Sequence, residues 1–295
     1  MSIDSTWLRC PNCFLDLSPV DDRTFGCATG HRFDRSKHGF LTLLPPKAPR
    51  TVGDDPAMLR ARADLLGSGA YAPISTALVD AVRSIPDATQ ANPAGRPGSG
   101  LRVADLGCGT GHYSSELARA LPELEFLLAD RSPDAVRASL RGLPAATGVV
   151  LDIWRPLPIR TGRVDVILNV FAPRNLEEFA RVLVPGGNLL TVVPTERHLM
   201  ELRRDGLMLD IPGGKSSRLI EQLAEAGFAL SSNAPVEYAL DSDATTRLLL
   251  AEMGPSAHHA AALAQDAAGG RAKSDAIESV TVSIELLHFT LAAHT

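Results

Sequence analysis

Four residues near the N-terminus have the types and spacing of a metal site. Cys10 and Cys13 flank two residues, thirteen more follow, and Cys27 and His31 then flank three. Two thiolates at the first spacing form a knuckle, and the second pair closes a tetrahedron around Zn²⁺. Three of the four cysteines of the chain fall in this stretch, and clustering of that kind in a cytosolic chain points to metal before disulfides. The segment is too short to bury a core of its own, so the metal supplies much of its folding energy. Thr24–Cys27 is expected as one strand of a short hairpin, with Asp21 and Asp22 in its turn. Just beyond, Arg32, Arg35, Lys37 and His38 make a basic cluster, with Lys47 and Arg50 following. Beside a zinc ribbon, such a cluster is either an RNA-contacting surface or a solvated charged face.

A second constellation lies at residues 101–113. An apolar strand (Leu101, Val103, Leu106) runs into Gly107, Gly109 and Gly111, and a helical pattern follows at Tyr113, Leu117 and Leu121. Glycines let the backbone turn sharply at positive φ and let a ligand lie against the amides of a helix start. Asp105 precedes the glycines inside the strand, and Asp130 closes the next apolar run, Leu124–Ala129. At that strand tip a carboxylate accepts from both ribose hydroxyls of a nucleoside, or else serves only the helix start at Ser132-Pro133. Asp152, at the end of a third strand expected over Val149–Ile153, either meets an adenine amino group or turns a loop. His198 opens a basic helix, and Phe171 stands in Asn169-Val170-Phe171-Ala172-Pro173, after a fourth strand at Val164–Val170. Cys108, inside the glycine turn, reads as a small packing residue.

The elements that must position these groups alternate strand and helix from 101 to about 194, the pattern of a parallel α/β sheet. Ligands bind beyond the strand C-termini of such a sheet, so Gly107–Gly111, Asp130, Asp152 and Asn169–Pro173 should face one cleft. Glu177, Glu178 and Arg181 lie on a helix expected to end at Pro185-Gly186-Gly187, before a fifth strand at Leu189–Val193. Ahead of the sheet, a strand at 40–44 ends at Pro45-Pro46, and a helical stretch at 56–85 is broken at Gly67–Pro73. Tyr71, at that break, either packs over a cofactor or caps the helix. Residues 47–55 read as a linker and 86–100 as a flexible connector. Past the fifth strand, a helix over Ser216–Ala226, a strand over Phe228–Leu240, a helix near 243–252 and a last strand over Ser279–His288 are expected. The Ala/Gly-rich 257–274 reads as helix, then mobile loop.

Composition bounds the function classes. At 295 residues, with 45% hydrophobic and 21% charged, the chain is of ordinary soluble globular type. No apolar run approaches the roughly 20 residues of a membrane span. The first residues lack the basic and apolar regions of a signal peptide, so a cytoplasmic protein is expected. A net charge of −5 announces no global basic field, so any nucleic-acid footprint must be local.

Asp105-Leu106-Gly107-Cys108-Gly109-Thr110-Gly111 resembles motif I of class I S-adenosylmethionine (SAM) methyltransferases. Over nearly its full length the chain resembles the bacterial 23S rRNA guanine-N1 methyltransferase family. The resemblance is carried by Cys10/Cys13/Cys27/His31, Phe33-Asp34…Gly39-Phe40…Leu43-Leu44-Pro45, Met58…Ala61-Arg62…Gly69-x-Tyr71-x-Pro73, motif I, Phe171-Ala172-Pro173 and Arg197-His198-Leu199-Met200-Glu201-Leu202. Asp152-Ile153-Trp154, Asn169–Asn175 and Met253-Gly254-Pro255-Ser256 resemble its Gram-positive branch, which includes tylosin-resistance enzymes and modifies the guanine at rRNA position 748.

The resemblance implies an α/β, Rossmann-like SAM-methyltransferase sheet with an N-terminal zinc ribbon. The zinc-binding, RNA-recognising domain would span 1–50, a helical bridge and linker 51–100, and the methyltransferase domain 101–295. It implies that Tyr71, Gly111, His112 and His198 contact SAM beside Asp105, Gly107, Gly109, Asp130 and Asp152, and that the four N-terminal ligands hold Zn²⁺. It implies a 23S rRNA hairpin loop of domain II as substrate and a homodimer as the assembly. Methyl transfer to guanine N1 needs that nitrogen's proton removed. Phe171 is the candidate to stack on the base, and His198 and Asp152 are the candidates near the reacting atoms. Two rival readings are a small-molecule SAM methyltransferase with an incidental zinc knuckle and a zinc-ribbon RNA-binding protein with an inert SAM fold.

Overall fold

The computed structural model describes residues 3–45, 53–85, 100–254 and 278–293. The connector at 86–99, most of the linker at 47–55, the expected elements at 257–274, and Lys47, Arg50, Pro255 and Ser256 lie outside the described residues.

The N-terminal segment forms a three-stranded antiparallel sheet of β1 (Ser18–Pro19), β2 (Thr24–Gly26) and β3 (Arg32–Asp34). Asp21 makes the expected hairpin turn, its Oδ1 accepting from the amides of Arg23 and Thr24 at 2.8 and 2.7 Å. The expected strand at 24–27 stops one residue early, because Cys27 turns to pair with His31 across a tight loop (Gly30 N to Cys27 O, 3.0 Å).

The main sheet has eight strands: β4 (Phe40–Thr42), β5 (Arg102–Leu106), β6 (Glu125–Asp130), β7 (Thr147–Val150), β8 (Val164–Val170), β9 (Leu183–Pro194), β10 (Phe228–Ser242) and β11 (Glu278–Leu291). Their order is β10-β11-β9-β8-β5-β6-β7-β4, parallel from β4 to β9, with β11 and β10 antiparallel at the other edge. The helices are α1 (Pro56–Gly67), α2 (Ala72–Arg83), α3 (His112–Ala120), α4 (Pro133–Gly142), α5 (Leu176–Val182), α6 (Met200–Arg204), α7 (Lys215–Glu225) and α8 (Ala244–Glu252). Among the described residues no single helix is long and apolar enough to cross a membrane.

Neighbouring strand residues feed opposite faces, as the period of two requires. Val103 and Leu128 join a core made with α1, α2, α3 and α4 (Leu65, Leu78, Leu117, Leu140). Ala104 and Leu127 join the other core, roofed by α5, α7 and the zinc ribbon (Phe179, Leu223, Trp7, Leu17, Phe25). The ribbon therefore does not stand apart: its apolar side chains complete one face of the main sheet. Arg102, at the start of β5, fastens the two by stacking on the Trp7 ring at 3.7 Å and pairing with Asp4 at 3.1 Å. β4 continues that union as the outer strand, in parallel register with β7.

Three local expectations change. The third strand ends at Val150, not beyond, so Asp152 sits in the following turn, where Arg155 N reaches Asp152 O at 3.1 Å. The helix after β8 ends at Val182, and Pro185-Gly186-Gly187 lies within β9, which begins at Leu183 and shifts register against β8 between Val164 and Val166. The helix expected from 195 starts only at Met200, because Leu199 takes a left-handed φ of 54°. His198 is thus a turn residue and not a helix opener.

Candidate active site and metal centre

The four N-terminal ligand atoms converge within 4.8 Å of one another. Cys13 and Cys27 Sγ are 3.5 Å apart, and His31 Nδ1 lies 3.6 Å from Cys10 Sγ and 3.4 Å from Cys27 Sγ. A tetrahedral zinc with ordinary Zn–S and Zn–N bonds puts its ligands roughly 3.8 Å apart for S–S and roughly 3.6 Å for S–N. The donor set and its spacing therefore fit Zn²⁺, with His31 ligating through Nδ1. Arg32 Nη1 donates to the carbonyls of Cys27 and His31 at 3.4 and 3.2 Å, so it steadies the ligand loop.

The glycine turn is held from both sides. Gly107 (φ 96°) donates to Ala129 O at 2.8 Å, and a Cβ there would lie 2.5 Å from Ala172 Cβ. Gly111 (φ 74°) is the N-cap of α3, and its Cβ would lie 2.6 Å from Ser139 Cβ. Gly109 N donates to Asp130 Oδ2 at 3.0 Å, while Ser132 N donates to Asp130 Oδ1 at 2.9 Å. Asp130 thus ties the glycine turn to the start of α4. Burial raises its pKa, and the two amide bonds oppose that rise. Asp105 lies buried beneath the turn and accepts from Ser114 Oγ at 2.6 Å; burial pushes its carboxyl up to about 7. Cys108 is buried there too, and burial raises its thiol well above its ordinary value, so it packs as expected.

Tyr71, Phe171 and His198 come together although they are far apart in sequence. Ring centroids are 6.3 Å for Tyr71–Phe171, 6.1 Å for Tyr71–His198 and 5.8 Å for the stacked Phe171–His198 pair. Tyr71 and His198 are buried, while Phe171 is 40% exposed and takes a left-handed φ of 53° at the C-terminal end of β8. A non-glycine residue held there stores about 1–3 kcal/mol of strain, which marks the Phe171 loop as a place where geometry is imposed.

His198 is fixed at both nitrogens: Ser283 N donates to Nδ1 at 3.2 Å, and Nε2 faces Tyr71 Oη at 3.4 Å. Nδ1 is therefore the acceptor, and Nε2 carries the hydrogen. Burial, with the Arg203 charge adding, lowers the His198 pKa to about 4. Across the range from about pH 8 to about pH 5, imidazole NMR shifts should report a neutral Nε2–H tautomer throughout. An imidazolium signal above pH 5 would contradict this arrangement. The linkage has a sign. The unfolded chain takes up this proton near pH ~6.5 and the folded one only near 4, so stability falls as pH drops through that window.

Other candidates are placed differently. Asp152 Oδ1 accepts from Trp154 N at 3.1 Å, and Oδ2 is ion-paired with Arg131, so its carboxylate anchors the 152–155 turn and is not set up as a base. The His112 ring turns to Ser75 Oγ at 3.3 Å and packs edge-on to Tyr113, which leaves its backbone for a ligand. A groove of about 850 Å³ between α2 and α3 touches the glycine turn only through Thr110 and His112; Tyr71, Asp130 and His198 do not line it. Sequence reasoning missed Asn169 as an organiser: its Nδ2 donates to Pro173 O at 2.8 Å and to Leu106 O at 3.3 Å, which fastens the Phe171 loop to the end of β5. It also missed Arg131, Arg174 and Ser283, whose roles exist only through tertiary neighbours.

A mixed, mostly parallel sheet with a glycine turn between β5 and α3, carboxylates at the ends of its first strands and a Cys₃His ribbon on one face defines a SAM-dependent methyltransferase with a zinc ribbon. Residues 103–187 match the methyltransferase domain family, and residues 8–51 match the N-terminal zinc ribbon of RlmA. The chain is 40% identical to the 23S rRNA (guanine(748)-N(1))-methyltransferase of Streptomyces fradiae over 86% of each chain. It is 37% identical to a Micromonospora griseorubida relative named for the same guanine-N1 chemistry on 23S rRNA, over 85% of this chain and 87% of the relative. Among solved structures, the complex of the Haloferax volcanii Trm112 activator with a methyltransferase shares the fold at a TM-score of 0.50 and 19% identity, covering 83% of this chain and 100% of that one. The chain belongs to the 23S rRNA (guanine-N1)-methyltransferase family.

Proposed function

We propose that the protein transfers the SAM methyl group to N1 of the guanine at position 748, in a hairpin loop of domain II of 23S rRNA. The observation that carries this reading is the half-exposed Phe171 ring, held at positive φ beside the glycine turn and backed by buried Tyr71 and His198. A guanine unstacked from a loop gains a stacking partner there, and unstacking costs less in a loop than in a duplex. SAM, when bound, would supply the methyl group and leave as S-adenosylhomocysteine; Gly107, Gly109, Gly111, Asp130, Tyr71 and the His112 backbone would hold it, with Asp130 offered to the ribose and Asp105 bracing the turn from below. Tyr71 and His198, both neutral, shape an apolar wall that orients the base for in-line attack. Neither His198 nor Asp152 is arranged to take the N1 proton, which passes to solvent water as the N–C bond forms. Ribosomal RNA from cells lacking the gene should lose the primer-extension stop at position 748, and complementation should restore it. A stop that persists without the gene contradicts the assignment.

The zinc ribbon serves as the RNA-gripping domain, with Arg35, Lys37 and His38 as its basic face beside Arg32. Replacing Arg35 and Lys37 together by alanine should weaken hairpin binding several-fold and lower its salt dependence, leaving SAM affinity as it was. Unchanged RNA affinity in the folded double variant would remove the ribbon from recognition. We infer further that the protein acts in the cytoplasm as a homodimer and contributes to tylosin resistance.

A further inference from the structure

The chain has two tryptophans, and the fold treats them oppositely. Trp7 is buried beneath the Arg102 guanidinium, whereas Trp154 is 67% exposed, more than any other large apolar side chain among the described residues. Exposing so large a ring forfeits its burial energy. The turn that presents it is nevertheless held firmly. Asp152 Oδ1 accepts from Trp154 N at 3.1 Å, and Asn175 Nδ2 donates to Ile153 O at 2.9 Å and to Arg155 O at 3.3 Å. One side-chain amide thus fixes the carbonyls on both sides of Trp154.

These bonds join the turn to the site in one direction and to the zinc ribbon in the other. Asn175 is the N-cap of α5 and stands four residues beyond Phe171. The Trp154 turn follows β7 and the Phe171 loop follows β8, at the same C-terminal edge of the sheet. Between β8 and β7 lie β5 and β6, which carry the glycine turn and Asp130, so three strand spacings put the two ends roughly 14 Å apart. Toward the ribbon, Arg9 N donates to Pro158 O at 3.0 Å and Arg9 Nε to Leu157 O at 2.9 Å, while its guanidinium sits 4.6 Å over the Phe14 ring. The centre of that ring therefore lies within about 9 Å of Leu157 O, three residues from Trp154. Phe14 follows the ligand Cys13 and is itself 46% exposed. Cations accompany both rings: Arg9 lies on Phe14, and the exposed Arg155 follows Trp154.

We propose that Trp154 and Phe14 are stacking platforms for unpaired RNA bases and lead the strand from the zinc ribbon to the Phe171 loop. The inference rests on the RNA reading above. Aromatic rings interleaved with cations form the surface that single-stranded nucleic acid takes, because every base has a π face. A hairpin loop offers such bases and a duplex does not. Continuity with the Phe171 loop, through Asn175, favours RNA over a protein partner. Phe171 takes the target base while Trp154 takes another base of the same loop, so the strand is held at more than one point.

Trp154 is also the probe that tests this. In the full-length protein, acrylamide should quench Trp154 and spare buried Trp7, and the domain II hairpin should both shield Trp154 and quench its emission. Trp154→Phe, which lacks the accessible indole, should show neither change. Trp154→Ala should weaken hairpin binding about tenfold and Phe14→Ala several-fold, with Trp154→Phe retaining most of the affinity. The slope of log affinity against log salt should stay as it was, since no phosphate contact is removed. SAM affinity, read by calorimetry, should not move. Full hairpin affinity in the folded Trp154→Ala protein, with wild-type Trp154 emission unmoved by bound RNA, would overturn the platform. So would a loss confined to SAM affinity, which would put the ring on the cofactor. Shielding of Trp154 before RNA is added, relieved on dilution, would make this face an interface between copies and overturn it as well. Failure of the wild-type protein to bind the hairpin would instead count against the RNA reading itself.

Discussion

Gly107→Ala should abolish SAM binding and methyl transfer while leaving zinc bound. The substitution has no room on either count that matters. The backbone sits at φ 96°, where an L side chain is strained by about 1–3 kcal/mol. The new Cβ would also stand 2.5 Å from Ala172 Cβ, so the Phe171–Pro173 loop must move. That loop is pinned by Asn169, whose own amide is bonded to Leu106 O at the end of β5, so displacement spreads to both sides of the cleft. Calorimetry should show SAM affinity reduced by at least about 100-fold, equivalent to roughly 2.7 kcal/mol, and thermal unfolding should show only a modest loss. Gly30→Ala is the control. Its φ is 92°, but nothing lies within 4 Å of the added Cβ, so it carries strain without touching the cofactor site. Equal SAM affinity in wild type and Gly107→Ala would show that the turn does not hold the cofactor.

Removing zinc should have the largest effect on stability. Cys10 is fully buried, and the residues around it (Trp7, Leu8, Leu17, Phe25) share a core with Leu127, Val149, Leu157 and Ile159 of the main sheet and its loops. Loss of the metal releases the ribbon and bares that face of the sheet. Structural zinc contributes about 10–16 kcal/mol in isolated fingers; even a third of that lowers the unfolding temperature by about 10 °C in a chain of this size. Chelation, or Cys10→Ala, should therefore lower the unfolding midpoint by about that amount and end RNA methylation. The metal content should be one zinc per chain in the untreated protein. A chelated protein free of zinc with an unshifted midpoint would contradict the shared core.

What the sequence made legible is what local spacing encodes. The Cys10–His31 pattern and the Gly107–Gly111 turn are each built within one short stretch, where the chemistry dictates the spacing. The strands at 102–106, 125–130 and 164–170 follow from runs bounded by turns. Partners distant in sequence left no such trace. Nothing in Phe40–Thr42 says that it pairs with β7, and nothing in Trp7 or Leu17 says that they roof the main sheet. His198 looked like the start of a helix because Leu199 carries no signal of its left-handed φ. For Asp152 the sequence left open an adenine contact or a turn in a loop; the turn is what forms, and Arg131 reaches its carboxylate only through the fold.

The proposed activity is tested most directly by incubating the purified protein with SAM and a domain II hairpin transcript, then identifying the methylated nucleoside by mass spectrometry. The expected result is 1-methylguanosine approaching one per transcript, mapped to position 748 and lost when that guanine is replaced. A methyl group on another atom or another guanine, or none on the RNA while SAM is still bound, would contradict it.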